Sequence, residues 1–174
     1  MNFCGPYDKQ LAAQYQAFLP SPLLAGWEFR QKSTVVGNVA WQSLAKTQEW
    51  VLTAAMRHDL LNDKWAVIIT DTDQIIQYTN PNFEEMTGYT SHEALGRRPT
   101  FLQGERTSQL VRQRIKQAIE RQKPVKERIM NYRKNQTTYW CQVIIWPIVN
   151  RQKQVVNYIA FEQEVPFDES YIDR

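Results

Sequence analysis

Apolar positions recur along this chain with two different periods, and the switch between them falls near residue 64. Before it the spacing is helical. The stretch "YDKQLAAQYQAFL" (7–19) is rich in helix formers and stops at "PSP" (20–22), where proline cannot continue a helix. In "NVAWQSLAKTQEWVLTAAMRHD" (38–59), Trp41, Leu44, Val51, Leu52 and Ala55 share one helical stripe behind Asn38 as N-cap, which predicts a single helix. After Lys64 the pattern becomes that of strands. "KWAVIIT" and "QIIQYT" are β-rich runs separated by the turn residues "DTD". "NPNFEEMTGYTSHEAL" is punctuated too often for one long helix and predicts short helical turns. "RTSQLVRQRIKQAIERQ" (106–122) is amphipathic, with Thr107 or Ser108 as cap, Val111, Ile115, Ala118 and Ile119 as its stripe, and Pro124 as its stop. Three strands follow at about 125–133, 138–148 and 154–163, joined by short polar turns.

This order predicts an α+β domain, an antiparallel sheet with helices on one face. It divides the chain into an N-terminal helical extension (1–63), a sheet domain (64–165) and a tail (166–174).

Composition narrows the class. The chain has 174 residues and six Trp, enough apolar area for one domain with a real core. No apolar run approaches the roughly 18 residues of a membrane span, and the N-terminus lacks a signal-peptide layout. Cys4 and Cys141 make no disulfide framework and no metal spacing. A soluble cytoplasmic protein without a membrane partner is expected. The net charge of +3 conceals a basic segment: ten Lys/Arg between Arg106 and Lys134 against Glu120 and Glu127. Without a DNA-reading motif this is the wet face of a helix and strand, and nucleic acid is not the expected partner. His58 and His92 have no carboxylate or cysteine at ligand spacing, so neither metal nor catalysis is indicated.

One motif is specific. "GRRPTFLQG" (96–104), followed by "NYRK" (131–134) and the pair Tyr139-Trp140, with "NPNFEEMTGY" after the second strand, resembles a PAS domain of the LOV (light-oxygen-voltage) subclass over residues 64–165. The resemblance implies a five-stranded antiparallel sheet cupping a ligand, usually FMN, with output through surfaces outside the pocket. It also implies what has changed. Photoactive members read G-R-N-C-R-F-L-Q-G, and the cysteine adds to the excited flavin; Pro99 stands in its place. Arg98 replaces an asparagine, and Thr100 replaces an arginine that meets the phosphate. The second phosphate-meeting arginine is matched by Lys116, which keeps the charge without the bidentate fork. Of two asparagines at the ring's polar edge, Asn131 stands and the other has become Cys141. The glutamine that answers to flavin chemistry falls at Glu162. Gln103 and Asn131 remain from the polar set.

Each unpaired flavin atom would cost about 1–3 kcal/mol. Two or three such defects amount to a loss of roughly 10² to 10⁴ in affinity. No cofactor is therefore expected, with adduct-free FMN photoreduction as the alternative. A haem reading lacks an axial histidine on 106–122.

Strand alternation adds a second feature. With Cys141 and Glu162 facing the cup, the opposite face carries Trp140, Ile144 and Trp146 on one strand, and Val155, Ile159 and Phe161 on the next. An apolar face of that size needs a cover. Trp41 and Trp50 of the N-terminal extension are the natural candidates, on the same chain or a second copy. The sequence thus predicts a non-catalytic sensory and protein-interaction module, a homodimer with a separate signalling partner. The rival is a flavin-binding blue-light receptor.

Overall fold

The computed structural model describes residues 34–167. These residues belong to one compact unit that begins at Ser33. The predicted helix at 7–19, Cys4 and most of the tail lie outside the described residues. Among the described residues no helix is long and apolar enough to cross a membrane.

The elements are α1 (Thr34–Thr47), β1 (Trp50–Val51), α2 (Ala54–Leu60), β2 (Ala66–Thr70), β3 (Ile76–Thr79), α3 (Pro81–Thr87), α4 (Ser91–Ala94), a 3-10 turn (Pro99–Leu102), α5 (Gln109–Glu120), β4 (Val125–Tyr132), β5 (Thr138–Asn150) and β6 (Val155–Val165). The single helix expected over 38–59 is two helices and a short strand. Glu49 takes a left-handed conformation (φ 53°) that ends the first helical run. Trp50 and Val51 then pair antiparallel with Asn150 and Val149. Thr53 restarts the chain as an N-cap, its side chain accepting from the Met56 amide at 3.2 Å. Asn38 lies inside α1 and is not its cap. Helical periodicity continued through this break, because a two-residue strand is too short to disturb it.

The sheet has the order β3-β2-β6-β5-β4, all neighbours antiparallel, with β1 added beside the end of β5. That is the expected five-stranded α+β architecture plus a sixth strand from the N-terminal segment.

Local chemistry explains the helical side. Asn80 caps α3, its Oδ1 accepting from Phe83 N (3.1 Å) and Val67 N (2.8 Å), while Nδ2 donates to Trp65 O (2.7 Å). One side chain thereby starts the helix and ties it to the head of β2. Gly88 closes α3 in the left-handed region (φ 76°), where a side chain would be strained. Thr90 and Glu93 form a reciprocal capping box on α4. Ser108, not Thr107, caps α5. The Thr107 hydroxyl instead accepts from Gly104 N (2.9 Å) and donates to Met130 O (2.7 Å), so the helix starts three residues later than 106.

The sheet carries apolar clusters on both faces. The outer one joins Leu60, Val67, Ile69, Ile148, Ile159 and Phe161, with Trp41, Leu44, Trp50, Ile144 and Trp146 packed against it. The inner clusters set Ile68, Phe83 and Leu102, and Ile129, Tyr139, Cys141 and Val143, beneath α3–α5. A bulge where Ile148 pairs with Asn157 but Val149 with Val155 puts Val156, not Val155, into the outer cluster.

Candidate functional site

The inner face of the sheet and the helices over it enclose a cavity of about 100 Å³. Its walls are mostly apolar: Ile68, Ile129, Val143, Ile145 and Ala160 from the strands, Ile115 and Ile119 from α5, Pro99 and Leu102 from the 3-10 turn. The polar residues reaching it are Thr70, Gln74, Thr100, Gln103, Asn131, Tyr158 and Glu162. None of the described residues lining it is Lys, Arg or His.

Glu162 governs the electrostatics. It sits on β6 opposite Val143, buried from solvent. Burial pushes its carboxyl up to about 7, and a contact from Cys141 pulls slightly the other way. That contact is the Cys141 thiol donating to Glu162 Oε2 at 3.7 Å. Cys141 is itself fully buried, and burial followed by the neighbouring carboxylate pushes its thiol well above the ordinary range. Such a thiol keeps its proton and is a poor nucleophile.

Tyr139 lies on the same side of β5 as Cys141, across from Asn131 on β4. Burial, then the nearby Glu162 carboxylate, raise its pKa, against a smaller pull from a hydrogen bond with Asn131 and from Arg133, whose guanidinium lies 4.4 Å from the ring centroid. Neither the Tyr139 hydroxyl nor Asn131 Oδ1 makes a well-formed hydrogen bond, although both are buried. Tyr139 was not among the expected site residues. Alternation offered the signal, since it precedes Cys141 by two positions.

The expected site residues therefore separate. Gln103, Asn131 and Glu162 line the cavity. Cys141 lies in the wall and touches it through Glu162. Lys116 does not belong to the pocket. Its side chain is 74% exposed and pairs with Glu120 one turn on, at 3.8 Å. The apolar stripe of α5 faces the sheet, and position 116 follows Ile115 onto the wet side. His58 on α2 and His92 on α4 do not line the cavity, and no cluster of metal-ligating residues occurs among the described residues.

Much of "GRRPTFLQG" packs the scaffold. Phe101 stacks edge-on against Tyr89 (4.9 Å between centroids), with the Arg97 guanidinium 3.9 Å from its own centroid. Leu102 is buried in the inner core. Gly104 abuts Tyr132 so closely that an added Cβ would lie 2.5 Å from the ring. The Tyr132 hydroxyl accepts from the Arg106 amide at 3.0 Å. Pro99 and Thr100 alone of the central residues reach the cup together with Leu102 and Gln103.

On the outer face, Ile144, Trp146, Ile159 and Phe161 carry the cluster against which Trp41 and Trp50 pack. Trp140 lies outside that cluster, partly exposed, its ring 6.0 Å from Phe167. A polar link accompanies the apolar contact. The Trp50 indole donates to Asn157 Oδ1 at 2.8 Å, and Asn157 Nδ2 donates to Thr70 O (2.8 Å) and Gln77 Oε1 (3.1 Å).

Comparison with known proteins agrees with this architecture. The family model described as a PAS domain matches residues 65–165. The chain is 33% identical over 96 residues to a blue-light-activated histidine kinase of Brucella canis, covering 55% of this chain and 20% of that protein. It is 30% identical over 102 residues to blue-light-activated histidine kinase 2 of Erythrobacter litoralis, covering 59% and 30%. The dark structure of the LOV domain of the blue-light photoreceptor Aureochrome1 superposes with a TM-score of 0.62 at 27% identity, covering 70% of this chain and 88% of that one. The match to the curated kinases spans less than a third of their length.

Proposed function

The chain belongs to the PAS domain family, and on that premise we propose a non-catalytic sensory and protein-interaction module whose cup does not take FMN. Its LOV relatives support the sensory role. The observation that carries the rest is the charge of the cup: a buried carboxylate at Glu162 with no Lys, Arg or His beside it.

A flavin mononucleotide needs the opposite environment. Its phosphate calls for cations, yet Lys116 is turned to solvent. Its ring carbonyls call for donors, and Glu162 offers one only while it holds its proton, which it loses as pH rises through about 7. The volume agrees, since about 100 Å³ falls short of the roughly 300 Å³ at which larger ligand pockets begin. Pro99 lines the cup without a thiol to form an adduct. Output passes through the N-terminal helices on the outer face, and the partly exposed Trp140 end of that face serves a second copy or a separate protein partner.

The test is the visible spectrum of purified protein before and after incubation with FMN, FAD and riboflavin. A colourless protein after gel filtration is expected. A three-peaked blue band retained through the column overturns the reading, in favour of a flavin receptor acting by photoreduction. The blue-light relatives are what favour that second reading.

A further inference from the structure

The smallest side chain lining the cup belongs to the middle strand of the sheet. β6 lies third of five, hydrogen-bonded to β2 on one side and β5 on the other. Ala160 is its inner residue level with Ile68 of β2 and Ile145 of β5. A single methyl group thus stands between two isoleucines, packed against both inner clusters. Ile115 and Ile119 of α5 face it across the cavity. Ala160 and Ile145 are only partly buried, although Ile68 and Val143 beside them are buried. A water-sized body therefore has room against an aliphatic floor at the centre of the sheet. Apart from Glu162, the polar lining groups are hydroxyls and amides, and the Tyr158 hydroxyl already donates to Ile119 O at 2.9 Å. None of the described lining residues is Lys, Arg or His. Burial raises the Glu162 carboxyl to about 7, so at mildly acidic pH the cup carries little charge.

We propose that the cup binds a small uncharged molecule of low polarity, of the class of short aliphatic alcohols and ketones, with its hydrocarbon body over Ala160 and against Ile68, Ile145 and Ile119. That floor offers dispersion contacts to carbon, and the hydroxyls and amides of the lining tolerate one neutral polar atom. A charged head would lose its hydration and meet no partner of opposite charge while Glu162 holds its proton. Size limits the class further. A cavity of about 150 Å³ accepts the six carbons of benzene, so one of about 100 Å³ holds roughly four or five non-hydrogen atoms. This inference rests on the reading that flavin is not the ligand.

The experiment is a methyl-resolved NMR titration of the full chain at about pH 6 with 1-butanol, n-butylamine and butyrate in parallel. Saturable shifts at Ile68, Ile145 and Ala160 are expected with butanol, with a dissociation constant of about 1 mM. The two ions bind at least about tenfold more weakly. Ala160→Val suits a strand and puts two further methyl groups into the cavity. It weakens butanol by roughly tenfold, and the bulkier Ala160→Leu abolishes the shifts. Absence of saturable butanol shifts, binding of either ion within about tenfold of butanol, or undiminished butanol affinity in folded Ala160→Val overturns the inference. The comparison of butanol with the ions uses the wild-type chain and decides the matter where a substitution prevents folding. A parallel FMN titration separates the two readings. Stoichiometric FMN binding overturns the proposed function and this inference together, whereas failure of both FMN and butanol to bind overturns the inference alone.

Discussion

On the outer face of the sheet, Asn157 is fully buried and uses its amide on Trp50, Thr70 and Gln77. On the inner face, Asn131 is buried almost as completely, and its side chain lies beside the Tyr139 hydroxyl at the edge of a cavity. The same residue type thus serves two purposes on one sheet. Outside, apolar side chains from α1, β1 and α2 cover the strands and a hydrogen bond fixes the cover. Inside, Glu162 and Asn131 border a cavity, and the Tyr139 hydroxyl is buried beside Asn131. An unmet buried polar group costs about 1–3 kcal/mol, and the outer face carries one too, in the Trp41 indole Nε1.

The strongest way to break the contrast is Trp146→Glu, which puts a charge into the outer cluster. A loss of about 3–5 kcal/mol is expected, read by denaturant unfolding, together with protease cleavage across 34–60 in the folded protein. Unchanged stability and cleavage would mean that the helices are not held by this face.

The next test addresses the inner face. The folded-state pKa of Glu162 is raised to about 7, so the folded protein binds this proton more tightly than the unfolded chain does. Stability is then fully present below the ordinary carboxylate range and is lost as pH rises toward 7. Glu162→Gln has no such charge. It should match wild type near pH 4.5 and exceed it by roughly 3 kcal/mol at pH 8, measured as the difference between two urea series. A pH-independent difference would remove Glu162 from the set of buried, uncompensated groups.

Trp50→Phe keeps most of the packing and deletes the bond to Asn157. It should cost about 1–2 kcal/mol and loosen protection of the α1–α2 segment in hydrogen exchange. The smallest effect belongs to Lys116→Ala. Its pair with Glu120 is exposed on both sides, so stability should change by less than about 0.5 kcal/mol, with no chemical-shift change at Asn131 or Glu162. A large change there would return Lys116 to the pocket.

The strands and short helices were legible because each carries its own local signal. Asp71 takes the turn after β2, its Oδ1 accepting from Asp73 N (2.9 Å) and Ile75 N (2.8 Å). Asn80-Pro81 opens α3, and Thr90 with Glu93 caps α4. Once the family resemblance set Cys141 and Glu162 toward the cup, alternation along β5 and β6 assigned Trp146 and Phe161 to the other face, because side-chain period in a strand is fixed by the pleat. The break at Glu49 was hidden, since its cause is a pairing with Asn150, a hundred residues away. The exposure of Lys116 was hidden for a related reason. Matching a position to a family motif says which residue occupies it, and helix rotation against the sheet says where its side chain goes.

By itself, then, the sequence determined the elements, their order and the division of each strand into an inner and an outer side. These follow from local geometry and periodicity, which every residue carries with it. Tertiary structure alone decided that Trp50 reaches Asn157, that Asn131 comes to lie against Tyr139, and that Glu162 is buried in a cavity whose described lining residues include no Lys, Arg or His. Those facts depend on distances between segments far apart in the chain, and on the low-dielectric interior that only the assembled fold creates.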